Sequence, residues 1–343
     1  MIIKSKAPLR IGLAGGGTDV APYCNDFGGS ILNATIDMYA YATIIPTNDN
    51  TIVLETKDRE EIFSCSSTKH IECNGYLDLL KASYNRIVKD FNLEPLSFKL
   101  STYVDAPAGS GLGSSSTLVV AIVKAFVEWL NLPLDDYSIA QLAWSIERED
   151  LGMSGGLQDQ YAAAFGGFNF MQFSDSQKVL VNPLRIKQSY LNELEFNLLL
   201  YYTGTSRLSS RIISSQIKNM KGQNEKALEA LHQIKQSAYD MKEALLTGDL
   251  EKMGTLLNQA WINKKATSNS ISNPVIDDLY QTALEAGATG GKISGAGGGG
   301  FFMFFCPGIT RYNVIKSLKK YEGEFRNFSF TKYGVKSWKS YNS

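Results

Sequence analysis

Hydrophobic residues recur along this chain with two periods, and the places where one gives way to the other outline its elements. Ile2 to Leu13 reads as a strand that breaks at Ala14-Gly15-Gly16-Gly17-Thr18-Asp19. Between residues 31 and 65, Thr43-Ile44-Ile45 and Ile52-Val53-Leu54 flank Pro46 and the polar Asn48-Asp49-Asn50, which predicts strands joined by turns. Leu77, Leu80, Tyr84, Ile87, Val88 and Phe91 share one face of a helix predicted from Tyr76 to Phe91. Phe98, Leu100, Thr102 and Val104 then alternate with polar residues, the period of a half-buried strand. A second helix follows, its stripe carried by Leu118, Val119, Ile122, Ala125, Phe126 and Trp129. A third is predicted from Asp135 to Asp150, and a fourth carries Tyr161, Ala164 and Phe165.

Phe168 to Phe173 and Lys178 to Val181 predict a closing hairpin, after which the composition shifts. A boundary is therefore expected near 185, dividing the chain into domains 1–185 and 186–343. In the second domain Glu195 to Tyr202 reads as one buried strand, and Thr203-Gly204-Thr205-Ser206-Arg207 turns from it into a helix carrying Ile212, Ile213 and Ile217. Two amphipathic helices fill 224–268, broken near Gly248-Asp249. Gly290 to Gly300 is glycine-rich and runs straight into the strand Phe301 to Phe305, so its glycines form a constrained turn where backbone approaches a ligand or another loop.

The connection between the strand ending at Val104 and the helix that follows is Asp105-Ala106-Pro107-Ala108-Gly109-Ser110-Gly111-Leu112-Gly113, then Ser114-Ser115-Ser116. A helix N-terminus has amides without intrahelical partners and the positive end of the helix dipole, so this turn reads as a phosphate cradle. The glycines permit close approach. A P-loop would follow its last glycine with Lys and then Ser or Thr, whereas Gly113 is followed by three serines. A dinucleotide fingerprint would need Gly or Ala where Ser114 stands, and a protein-kinase loop would need downstream motifs that do not occur. Without a loop lysine, a nucleoside triphosphate requires magnesium, which prefers hard oxygen ligands; Ser115 and Glu147 offer a hydroxyl and a carboxylate. Arg148, Glu149 and Asp150 read as a solvated helix end.

Composition removes several alternatives. Lysine plus arginine and aspartate plus glutamate both number 34 in 343 residues, so no overall field attracts nucleic acid or an anionic membrane, and neither partner is expected. The first fifteen residues, broken by Pro8 and Gly12, are no secretory segment, and no apolar run is long enough to span a bilayer. The expectation is a cytoplasmic protein. Cys24, Cys65, Cys73 and Cys306 lack metal-ligand spacing, and His70 and His232 have no recognisable partners, so none receives a role.

Three runs together carry a family resemblance. Ala7-Pro8-Leu9-Arg10 with Asp19, the Pro-x-x-x-Gly-Leu-Gly-Ser-Ser run from Pro107 to Ser115, and Gly290 to Gly300 resemble the first, second and third signatures of the GHMP small-molecule kinases. The resemblance covers nearly the whole chain. It implies an α+β architecture, with an N-terminal domain like the second domain of ribosomal protein S5, a ferredoxin-like C-terminal domain and an active site in the cleft. It implies ATP and Mg2+ as cofactors, the nucleotide on Pro107 and Gly109 to Ser116, and the metal on Ser115 and Glu147. Asp159 would stand beside the attacking hydroxyl, with helix capping as its alternative role, and Arg10 would face the acceptor. Gly17, Thr18, Asp19, Gly156, Gly297 and Gly298 are expected to contact that acceptor.

Gly16 and Gly17 stand where galactokinases carry a Glu and a His, which implies a roomier pocket and a larger or differently decorated sugar. Within the family the runs from Arg10 to Asp19, Gly155 to Gly167 and Thr203 to Arg207 look most like those of kinases that phosphorylate the anomeric hydroxyl of D-glycero-D-manno-heptose 7-phosphate, for nucleotide-activated heptose biosynthesis. The acceptor's own phosphate is then expected on basic side chains of the second domain, Arg207 first and Lys264 or Lys265 next. A fucose or N-acetylhexosamine kinase, or a non-catalytic sugar- and ATP-binding regulator, is the alternative, and assembly as a homodimer is left open.

Overall fold

The chain's first strand, β1 (Ile2–Ala14), pairs antiparallel with the long strand β2 (Gly29–Pro46), reached through the short helix α1 (Tyr23–Phe27). The structure, a computed structural model, describes residues 1–174, 178–204, 209–221 and 225–341. A hairpin of β3 (Thr51–Thr56) and β4 (Glu61–Ser66) leads through α2 (Asp78–Asp90) to β5 (Phe98–Val104). β5 inserts between β2 and β3, antiparallel to the first and parallel to the second. Helices α3 (Ser114–Leu130), α4 (Asp136–Ser145) and α5 (Gln158–Phe165) pack on this sheet around a core that buries Tyr84, Phe98, Ile122 and Phe126. The hairpin of β6 (Phe168–Phe173) and β7 (Val179–Pro183) pairs with the start of β2.

After α6 (Gln188–Asn197) and β8 (Leu198–Tyr202) come four helices, α7 (Ser209–Lys221), α8 (Glu225–Thr247), α9 (Glu251–Thr267) and α10 (Pro274–Glu285). β9 (Gly290–Ile293), β10 (Phe301–Phe305), α11 (Thr310–Leu318) and β11 (Glu324–Arg326) follow. The second sheet runs β11-β8-β10-β9, all antiparallel. With helices between its first and second and its third and fourth strands, this is the ferredoxin-like β-α-β-β-α-β arrangement. The last strand, β12 (Lys336–Ser340), returns to the first sheet and pairs with β1.

One apolar layer joins the two sheets. Leu9, Ile11 and Leu13 of β1 pack with Leu200, Met241 and Phe301, so the cleft above them has a fixed floor. Two predicted elements are corrected. Glu195, Phe196 and Asn197 end α6 rather than opening a strand; Phe196 is 50% exposed, and pairing begins only at Leu198. The helix predicted through Asp150 is α-helical to Ser145 and finishes as a π-helical turn, Ile146–Asp150. The turn buries Glu147 while Glu149 and Asp150 point outward to Arg86, 2.9 Å from each. Among the described residues no helix is long and apolar enough to cross a membrane.

Candidate active site

The loop after β5 has its glycines in left-handed backbone, with φ of 74° at Gly109, 83° at Gly111 and 76° at Gly113. Gly113 is the N-cap of α3, and no side chain caps that helix, so its first amides stay available to an anion. The third glycine run lies back to back with this loop. A Cβ on Gly111 would come within 2.3 Å of the Ser294 carbonyl oxygen, and one on Gly295 within 2.6 Å of Gly111 Cα. The Phe301 amide donates to the Ser110 carbonyl at 2.9 Å and the Arg10 amide to the Leu112 carbonyl at 3.1 Å. Much of the glycine requirement here is therefore loop against loop.

Beneath the two loops opens a cavity of about 460 Å3, inside the ~300–1,000 Å3 range of small-molecule sites. Gly109, Gly111, Gly113 and the three serines reach its wall, whereas Pro107 stays exposed and Ser110 and Leu112 are buried away from it. Three acceptor-side expectations are corrected. The Thr18 hydroxyl is occupied by the carbonyls of Gly15 and Ser30. The Gly298 amide donates to the Ile271 carbonyl at 2.8 Å and Gly297 abuts the same residue, so their loop reaches the cavity through Gly295 and Ala296 instead. Gly16 and Gly17 do face the cavity, and a Cβ on Gly16 would meet no atom within 4 Å.

Asp159, in the first turn of α5, has its Oδ1 held by Arg10 Nε at 2.8 Å and Nη2 at 2.6 Å. Oδ2 points to the 109–113 loop; a Cβ on Gly113 would lie 3.2 Å from it. Arg10 also donates through Nη1 to the Gly111 carbonyl at 2.6 Å, tying the aspartate and the loop to β1. Asp19 caps α5 from a distant segment, its Oδ2 accepting from the amides of Leu157 at 2.9 Å and Gln158 at 3.0 Å. Gly156 has no room for a side chain, since a Cβ there would meet Asp19 at 2.0 Å. Burial holds the Asp19 carboxyl above its ordinary range against the opposing pull of those amides.

The Ser115 hydroxyl donates to Glu147 Oε1 at 3.0 Å. Glu147 is 1% exposed, and its other oxygen accepts from the Gln160 amide, which also reaches Ser116 Oγ at 3.1 Å. Two buried lysines complete the wall. Lys264 Nζ donates to the Gly295 carbonyl, and Lys292 Nζ to the Gly12 carbonyl at 2.6 Å. Burial, reinforced by Arg10, lowers the Lys264 ammonium to about 7, opposed by Asp19; burial, Lys264 and Arg10 push Lys292 well below its ordinary value. Lys265 instead pairs with Asp277 at 2.9 Å, outside the cavity wall, and Arg207 lies outside the described residues.

Sequence reasoning missed Lys292, Gln160 and Arg148. A lysine inside a short buried strand flanked by glycines was a usable signal for the first. For Arg148 the run of charges pointed the wrong way, because only the π-helical turn brings its side chain to the cavity rather than to solvent.

An uncapped helix end facing an arginine-held aspartate, in a cleft between an α/β layer and a ferredoxin-like sheet, defines a phosphotransferase that acts on an alcohol group of a small molecule. Residues 78–167 match the GHMP kinases N terminal domain and residues 241–323 the GHMP kinases C terminal domain. The chain belongs to the GHMP kinases. It is 50% identical over 337 residues to the D-glycero-alpha-D-manno-heptose 7-phosphate kinase of Campylobacter jejuni subsp. jejuni serotype O:2, covering 98% of this chain and 99% of that one. A crystal structure of a D-glycero-D-manno-heptose 1-phosphate kinase from Bacteriodes thetaiotaomicron superposes with a TM-score of 0.85 at 46% identity, over 99% of this chain and 100% of that one. The Lactococcus lactis galactokinase structure, at 18% identity and a TM-score of 0.76 over 98% and 95%, shares the fold.

Proposed function

We propose that the cleft transfers the γ-phosphoryl group of ATP to the anomeric hydroxyl of D-glycero-D-manno-heptose 7-phosphate, in the cytoplasm, where ATP is supplied. The observation that carries the reading is Asp159, with Oδ1 fixed by Arg10 and Oδ2 turned toward the N-terminus of α3. The Campylobacter relative's name supplies the acceptor.

In this reading the nucleotide's phosphates lie along the amides of the 109–116 loop. Ser115 Oγ and Glu147 Oε1 are adjacent hard oxygens on the cavity wall, a donor pair that fits magnesium. Among the described residues no group of three or more His, Cys, Asp or Glu could hold an ion, so phosphates and water complete the shell. When bound, the ion neutralises charge on the β- and γ-phosphates. Asp159 Oδ2 accepts a hydrogen bond from the acceptor hydroxyl and points its oxygen at the γ-phosphorus. As that O–P bond forms and the bond to ADP breaks, the hydroxyl proton passes to Oδ2. Asp19 and Gly156 fix the turn that presents Asp159, and Gly16 and Gly17 leave space for a substituted sugar. Lys264, with Arg207 as first candidate outside the described residues, takes the acceptor's own phosphate.

A coupled ADP-release screen over heptoses, both heptose monophosphates, fucose and hexosamines, followed by phosphorus NMR of the product, tests this. Consumption of heptose 7-phosphate is the expected result; preference for fucose or a hexosamine, or no sugar-dependent ADP release at all, would overturn it. Because the Bacteriodes structure is named for heptose 1-phosphate, that ester is the second reading, and whichever monophosphate is consumed decides between them.

A further inference from the structure

Arg148 has no part in the reading above, yet its side chain is only 13% exposed and lines the cavity. Its Nε is buried with no hydrogen-bond partner among the described residues. Nη1 and Nη2 reach the carbonyls of Met153 and Gly156 at 3.4 Å each, the outer limit of a hydrogen bond. The nearest carboxylate, Glu147, lies 3.8 Å away and already accepts from Ser115 and Gln160. Gly155 makes room for the guanidinium, since a Cβ there would sit 2.2 Å from Nη2.

A guanidinium carries five donors and stays charged, and burying it with so few good acceptors is unfavourable unless an anion completes the set. Its place narrows which anion. Arg148 adjoins Glu147, on the donor-phosphate side, and Gly156, whose neighbour Asp19 lies on the acceptor side. We propose that Arg148 binds the transferring phosphoryl group, its guanidinium donating to the equatorial oxygens as charge moves from ATP to the acceptor. No bond to Arg148 forms or breaks; it holds the group in line and offsets the charge that develops there. This inference rests on the sugar-phosphate kinase reading.

The test measures binding of Mg-ADP with heptose 7-phosphate, with and without aluminium fluoride as a mimic of the phosphoryl in flight. It uses the wild-type protein, Arg148→Met and Arg148→Lys, the last keeping the charge and stem should the first not fold. In wild type, fluoride tightens ADP binding. Both variants are expected to lose that tightening and turnover by roughly a hundredfold or more, with ADP affinity in the absence of fluoride and the KM values unchanged. Equal tightening in the variants would overturn the proposal. So would a loss confined to the KM for heptose 7-phosphate, which would give Arg148 to the acceptor's phosphate, or a parallel fall in plain ADP affinity and thermal stability, which would leave it a structural support of the 153–156 loop. If wild type itself shows no fluoride tightening and releases no ADP with heptose 7-phosphate, the functional reading fails along with it.

Discussion

The two walls of the cleft are made in different ways. The loop from Gly109 to Gly113 presents backbone, with left-handed glycines and an uncapped helix end, and it comes from one contiguous run. The facing wall presents side chains, the buried Arg10, Asp19, Lys264 and Lys292 and the half-buried Asp159, gathered from β1, the turn after it, α5, α9 and β9. A polyphosphate can be recognised by amides whatever the neighbouring side chains are, provided these stay small. A particular sugar phosphate needs charges and donors at fixed separations, and only packed side chains hold those.

The comparison predicts that truncating side chains damages the side-chain wall most, and that adding atoms damages the loop wall most. The largest effect is expected for Asp159→Asn, on the order of a hundredfold or more in turnover with ATP binding near wild type. Steady-state kinetics of the purified, folded variant that showed full turnover would remove Asp159 from the mechanism. Gly111→Ala should lower stability by about 1–3 kcal/mol or more, since its methyl would press on the Ser294 carbonyl at a backbone angle alanine avoids. A denaturation midpoint equal to wild type would show that the two loops are not interlocked in solution. For Lys264→Met, the KM for heptose 7-phosphate should rise roughly tenfold or more, the scale of a hydrogen bond to a charged group, while the unphosphorylated heptose is handled as before. Equal losses on both sugars would move the acceptor's phosphate elsewhere, and Arg207→Ala is the next variant to make.

Ser115→Ala and Glu147→Gln should each raise the magnesium concentration needed for half-maximal rate several-fold, and together less than the product of the two, because they share one shell. An unchanged magnesium requirement in both would assign the ion to the nucleotide alone. The smallest effect concerns pH. Lys264 titrates near 7 in the folded protein and near ~10.4 unfolded, so between these values the unfolded chain binds more protons and stability rises with pH. Below about 7 both states are protonated and this contribution is flat. Thermal melting of the ligand-free protein should therefore climb from pH 7 toward 9, with Lys292 adding to the climb, and Lys264→Met should reduce it to the part Lys292 supplies; an identical slope in the variant would show that the Lys264 ammonium contributes nothing to it.

Legibility followed the same division. The glycine loop, its preceding strand and its following helix could be read in order, because period-two and helical apolar patterns meet at a run whose glycines have no other local use. Glu195 to Tyr202 could not be divided correctly, because an apolar run carries no mark of where a helix stops and pairing starts until β10 supplies the partner for Leu198. Arg148 failed for a related reason. A helix end rich in charge is ordinarily solvated, and one π-helical turn was enough to aim its side chain into the cavity.

By itself, then, the sequence determined the α+β class and the glycine turn between β5 and α3, because these follow from local periodicity and from short runs. Tertiary structure alone decided that Arg10 grips Asp159, that Asp19 caps the helix presenting it, and that Gly297 and Gly298 support the loop while Gly295 reaches the cavity. It also decided that Lys292 and Arg148 belong to the cleft. Each of these joins segments distant in the sequence or turns on the direction of a single side chain or amide. Such relations are fixed by close packing of the whole chain, which no local pattern records.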